Sequence, residues 1–350
     1  MEVLTLVIAF IVILLGAELF TNGIEWFGHK LGLAEGAVGS VLAAVGTALP
    51  ETMIPIFAIL VSTGASSSEV GVGAILGAPF MLATLAMFVT GIAVLIVGRR
   101  RPTGDVMHVD TRVLAHDMRY FAVAYAIAIG AAFLPVDPVW PKWIVAATLI
   151  GIYAWYVKAH FEADPDTDAS DLAPLRLHRL DRAAKLAEPG IPRLRVVNLQ
   201  VLVALGLIVA GAAFFVDSVQ RIAEDLQVDG ALLALVIAPI ATELPEKFNS
   251  VIWVRQGKDT LAMGNITGAM VFQATIPTVV ALVFAPHAWL AGPGSYVAFA
   301  SAGIAFLSAA FVFIPMARRG ELRGRGLLVG GIFYVAYLLL VIAVLSGIVG

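Results

Sequence analysis

Two carboxylates, a proline and a lysine lie in the middle of an apolar stretch of this chain. The hexapeptide Thr242-Glu243-Leu244-Pro245-Glu246-Lys247 sits inside the apolar run 231–253. A charge at membrane depth costs about 2.5–3.5 kcal/mol on insertion scales, and such residues face a cavity, a partner or an ion. A close copy of the phrase occurs earlier, as Thr47-Ala48-Leu49-Pro50-Glu51-Thr52, again within an apolar run. Two buried acid-plus-proline sites, one per half, point to an ion-binding membrane protein.

Composition agrees. Of 350 residues, 60% are hydrophobic and 13% charged, against about 25% charged in soluble domains. There is no cysteine, which excludes a disulfide framework, thiolate chemistry and cysteine metal sites. The N-terminal apolar run reads as a first membrane helix, since it lacks a basic leader.

A bilayer core takes about 20 apolar residues per helix. Ten stretches qualify: 3–26, 36–61, 70–97, 120–134, 140–157, 196–216, 231–254, 261–284, 296–316 and 326–349. The expected fold is all-α, with ten transmembrane helices in two inverted five-helix repeats. The repeats are 1–157 and 196–350, and the polar segment 158–195 reads as a solvated cytoplasmic linker. The acidic run 164–171 within it reads as soluble loop, since it lacks EF-hand spacing. All but three of the 22 lysines and arginines fall on odd-to-even connections, the exceptions being Lys142, Arg221 and Lys247. This asymmetry predicts both termini outside an inner (cell) membrane and the linker inside.

The repeat is visible residue by residue. Gly16, Phe20, Val41, Thr47, Leu49, Pro50 and Glu51 recur 195 positions later as Gly211, Phe215, Val236, Thr242, Leu244, Pro245 and Glu246. Gly73, Ile75, Gly77, Ala78 and Thr84 recur 191 positions later as Gly264, Ile266, Gly268, Ala269 and Thr275. Five spans per copy is an odd number, so the copies must be inverted, an arrangement common in secondary transporters.

Proline removes a backbone donor and breaks a helix. Pro50 and Pro245 therefore free carbonyls beside Glu51 and Glu246. Irregular backbone at that depth belongs in a protein-lined or wet cavity. Asn265, Thr267 and Gln273 add neutral oxygens on an apolar helix, and hard cations take clusters of such oxygens. The glycines four apart are read as packing positions. Glu243 and Lys247 stand four apart, the spacing of a helical ion pair. Lys247 either neutralises that acid or acts as a built-in cation beside Glu246. Glu18, Asn22 and Asp217 read as interfacial, Trp26, Trp140, Trp143, Tyr153 and Trp155 as interfacial belts, and His108 and His116 as loop residues too far apart for a helical metal pair.

Each repeat pairs a Thr-x-Leu-Pro-Glu helix with a Gly-x-Ile-x-Gly-small helix. This resembles the alpha repeats of the calcium/cation antiporter superfamily, which includes sodium/calcium and cation/proton exchangers. The resemblance implies alternating access, with the first, second, sixth and seventh helices sliding or rocking past the rest. It implies calcium as cargo and sodium or protons as counter-ion, with no cofactor and no catalytic residue. Glu51 and Glu246 would be the central ligands, Thr47 and Thr242 would contribute oxygens, and Glu243 and Gln273 would complete or modify the shell. The family's Gly-Thr-Ser-Leu-Pro-Glu departs here to Gly46-Thr47-Ala48 and Ala241-Thr242-Glu243, and its Gly-Ser-Asn to Gly77-Ala78-Pro79 and Gly268-Ala269-Met270. Loss of these neutral ligands favours protons over sodium. Two other readings stand beside exchange: an antiporter for another mono- or divalent cation, and a non-transporting membrane metal-binding protein. No Walker loop, GxSxG or His-Glu-x-x-His is present.

Overall fold

Helices carry almost all the regular structure. The computed structural model describes residues 2–48, 52, 55–56, 59–60, 67–101, 103–162, 172–178, 191–225, 244–292 and 295–345. Its principal helices are α1 (Glu2–Lys30), α2 (Glu35–Thr47), α3 (Gly71–Gly98), α4 (Thr111–Gly130), α5 (Trp140–Phe161), α6 (Leu194–Asp225), α7 (Leu244–Gln256), α8 (Asp259–Phe284), α9 (Tyr296–Arg319) and α10 (Val329–Leu345). Among the described residues seven are long and apolar enough to cross a membrane: α1, α3, α5, α6, α8, α9 and the helix containing α10. A chain with this many apolar helices is an integral, multi-pass membrane protein.

Local chemistry sets several boundaries. α4 begins well before the apolar stretch 120–134, because the Asp110 carboxylate caps it by accepting from the Arg112 and Val113 amides, at 2.8 and 3.4 Å. The turn between α7 and α8 passes through Gly257 at φ 80°, where a side chain would be strained. α2 and α3 each contain a π-helical segment, Val38–Ala43 and Leu82–Ala86. Pro79 precedes the second, where its missing N–H loosens the ladder.

α8 is the central post. Its side chains are buried along nearly its whole length, against α2, α3, α4, α5 and α7. The crossing with α2 is close enough that a Cβ on Gly268 would lie 1.9 Å from the Ser40 carbonyl oxygen. A Cβ on Gly264 would lie 2.8 Å from Ser40 Oγ, and one on Gly39 would lie 3.1 Å from the Leu261 carbonyl. Both ends of α8 are tied. At its start the buried Asp259 carboxylate accepts from Arg101 at 2.8 and 2.9 Å and from the His108 amide at 2.9 Å. At its far end the buried Lys142 ammonium donates to the Pro286 and Trp289 carbonyls, both at 2.6 Å. An acid at the N-terminus and a cation at the C-terminus both complement the helix dipole.

α1 and α6 pack along one another. A Cβ on Gly16 would lie 3.1 Å from the Ile208 amide and 3.2 Å from the Ala204 carbonyl. One on Gly211 would lie 3.2 Å from the Ile13 amide and 3.3 Å from the Ala9 carbonyl. The two contacts exchange when each residue is replaced by its counterpart 195 positions away.

Part of the expected solvated linker is docked. Leu175 is buried against Trp26, Val196 and Val197. Asn22 donates to the Ala173 carbonyl at 3.2 Å and accepts from the Arg176 amide at 3.0 Å, while Gln200 accepts from the Leu177 amide at 2.8 Å. Asn22 and Trp26 are therefore buried clamps and not interfacial residues: their polar atoms satisfy the backbone of 173–177. Trp140, Trp143 and Trp155 are exposed, as belt residues should be. Glu18 and Asp217 make exposed ion pairs with Arg176 and Arg221.

Gly268→Ala forces its methyl against backbone that cannot give way, at a cost of at least about 1–3 kcal/mol. Thermal unfolding in detergent should fall by several degrees. Gly151→Ala, at an exposed position with no atom within 4 Å, should leave it unchanged.

Candidate cation site

The residues expected to form the site divide into those described and those not. Glu51, Thr242 and Glu243 lie outside the described residues, and so does the side chain of Glu246, although its backbone belongs to α7. Thr47, Gln273 and Lys247 are described, and all three are buried.

Thr47 and Gln273 lie on facing helices. Thr47 Oγ1 stands 3.1 Å from Asn265 Oδ1 and donates to the Ala43 carbonyl at 3.0 Å. Further along the same seam, Gln273 Nε2 donates to Thr52 Oγ1 at 3.1 Å, and Thr52 Oγ1 donates to the Ala48 carbonyl at 2.6 Å. The α2–α8 seam thus carries two polar rungs, Thr47–Asn265 and Thr52–Gln273. Glu51 falls between Thr47 and Thr52 in sequence. The close glycine crossing at Gly268 is what lets a threonine on one helix reach an amide on the other.

Oxygens dominate these rungs. Hydroxyl, amide carbonyl and carboxylate oxygens are the donor set of hard cations such as calcium and sodium. Lys247 is only 4% exposed, so its ammonium belongs to the interior of the bundle. Asn249, two residues on, is fully buried, and neither of its amide atoms finds a hydrogen-bond partner among the described residues. An unsatisfied buried amide costs free energy.

Sequence reasoning identified Thr47, Asn265 and Gln273 but passed over Thr52 and Asn249. Thr52 closes the hexapeptide and was legible as a second hydroxyl past the proline. Asn249 stands among polar residues, Lys247, Asn249 and Ser250, which a search for acids overlooks.

Comparison with known proteins supplies independent findings. The family model described as "Sodium/calcium exchanger protein" matches residues 1–161 and 197–346. The antiporter CaxA of Alkalimonas amylolytica, itself described only as putative, is 35% identical over 100 residues, 28% of this chain and 31% of that protein. The match thus spans about a third of that relative's length. Among solved structures, the sodium-calcium exchanger NCX_Mj soaked without Na+ and Ca2+ aligns with TM-score 0.70 and 16% identity over 96% of this chain and 97% of that one. The same exchanger soaked with 100 mM Na+ and 10 mM Sr2+ aligns with TM-score 0.71 and 16% identity over 99% and 98%. At such identity the likeness concerns the fold.

Thr52→Val removes the buried hydroxyl that accepts from the Gln273 amide, a loss of about 1–3 kcal/mol. The variant should unfold at a lower temperature in detergent, and Thr52→Ser, which keeps the hydroxyl, should recover most of the loss.

Proposed function

The chain belongs to the sodium/calcium exchanger family, and we propose that it is a secondary-active cation antiporter, exchanging calcium for sodium or protons by alternating access. The observation that carries this reading is the polar seam between α2 and α8. Thr47–Asn265 and Thr52–Gln273 flank the position that Glu51 occupies in sequence. Glu51 and Glu246 are the central ligands in this reading, and Thr47, Thr242, Glu243 and Gln273 complete or tune the shell. Two carboxylates balance a divalent charge, and neutral oxygens replace its water.

Ten spans in two inverted five-helix repeats make this possible. The seven long apolar helices are joined in this reading by α2, α4 and α7. The reciprocal contacts of Gly16 with Ile208 and Gly211 with Ile13 support the inversion, since a two-fold axis maps each contact onto the other. The first, second, sixth and seventh helices then slide or rock past the rest. Lysine and arginine placement supports both termini outside, with 158–195 inside.

The counter-ion follows from what the shell lacks. Ala48, Ala78 and Ala269 stand at serine positions of the family's motifs, and Pro79 and Met270 at asparagine positions, which favours protons. Lys247 supplies a fixed positive charge next to Glu246, and it displaces the cation or holds the empty carboxylate in place.

Calcium flux into proteoliposomes, driven by a sodium gradient and a proton gradient in separate runs, tests the reading. One gradient should drive flux. Glu51→Gln and Glu246→Gln should each reduce it by about 10- to 100-fold, the worth of one hydrogen-bonded charge. Absence of calcium flux under both gradients, with folded protein, would overturn the calcium assignment. Lys247→Gln should change the pH dependence of exchange. An unchanged profile would remove lysine from the coupling step.

A further inference from the structure

His116, Asp117 and His160 meet at the end of the bundle where α4 begins and α5 ends. Each offers a ligand atom, and these atoms all lie within 4.8 Å of one another. Asp117 is fully buried and His160 is 5% exposed.

His160 is held at both ring nitrogens. Its Nδ1 lies 3.1 Å from the Tyr156 carbonyl oxygen, and its buried Nε2 stands 3.0 Å from Asp117 Oδ1. Asp117 is itself surrounded by donors: Tyr156 OH reaches Oδ1 at 3.0 Å, and the Ser40 and Thr267 hydroxyls reach Oδ2, Ser40 at 2.7 Å. A carboxylate oxygen and an imidazole nitrogen thus converge inside the bundle, two kinds of atom that ligate transition metals.

The surroundings suit a metal. A histidine ligand characteristically donates its other N–H to a backbone carbonyl, and a ligating carboxylate is held by further donors. Both features are present. The His116 ring, centred 5.0 Å from that of His160, offers a third ligand. A cavity of about 310 Å³, lined by His116, His160, Asp110, Arg112 and Thr260 among others, opens beside the cluster. It gives entry and room for water in a remaining coordination position. Two imidazoles and one carboxylate select zinc and similar transition metals over calcium.

We propose that His116, Asp117 and His160 form a binding site for a divalent transition metal, apart from the Glu51 and Glu246 carboxylates. Asp117 also holds Ser40 of α2 and Thr267 of α8. Occupancy therefore fixes the α2–α8 crossing and inhibits whatever movement these helices make.

Cobalt(II) titration of the purified protein in detergent tests the site. A background carrying both Glu51→Gln and Glu246→Gln keeps the two central carboxylates of the transport reading from contributing. Visible d–d bands of a histidine-ligated ion should saturate at one per chain, and zinc but not calcium should abolish them. His160→Ala should remove the bands. His116→Asn, at a half-buried position that spares the Asp117 network, should weaken zinc binding by more than about tenfold, the scale set by losing even an outer-sphere partner. Folded protein without bands, or bands that persist in both variants, would overturn the proposal and leave His160 and Asp117 as a structural pair. Neither result depends on which ion the protein transports.

Discussion

The polar contacts at the centre of this bundle depend on how closely α2 and α8 approach. With a hydrogen in place of a side chain at Gly268, the Ser40 carbonyl comes within reach of the facing backbone. Once two helices are that close, short side chains can bond across the seam. Thr47 meets Asn265, Thr52 meets Gln273, and Ser40 and Thr267 converge on Asp117. A methyl at the crossing would press the helices apart and lengthen these bonds.

Much of this was legible in the sequence. The seven long apolar helices fall on stretches that hydropathy marks, and Gly16 and Gly211, 195 positions apart, each pack on the other's helix. Gly264 and Gly268 were read as packing positions, and packing is what they do. Thr47, Asn265 and Gln273 announce themselves as oxygens on apolar helices. Pairings across long separations were not legible. Nothing local to His116 indicates that its neighbour is His160, because that contact is set by how α4 and α5 sit on α8. Trp26 and Asn22 misled for a related reason. Their composition suits an interface, yet the chain of 172–178 folds back over them, and a covering segment leaves no periodic signature.

The bonds around α8 also differ in kind from those between α1 and α6. α8 is held by charge and hydrogen bonding at each end: Asp259 with Arg101 at one, Lys142 with two carbonyls at the other. α1 and α6 meet through glycine and aliphatic contacts at their middle, and Gln200 of α6 donates to the Leu19 carbonyl and to Asn22 Oδ1 of α1, both at 2.9 Å. Small residues thus set the approach of α1 and α6, and buried polar groups tie the ends of α8.

The anchoring of α8 bears on the bilayer itself. Its 26 residues rise about 39 Å at 1.5 Å each, while the hydrocarbon core is about 30 Å thick. The Asp259–Arg101 pair and the Lys142 ammonium therefore fall near the two headgroup levels, as far apart as the helix is long. Tilting α8 to suit a thinner membrane would drag one of them into hydrocarbon. Lipid must instead adapt to the protein, thickening or thinning around a span whose length is fixed by its own end charges.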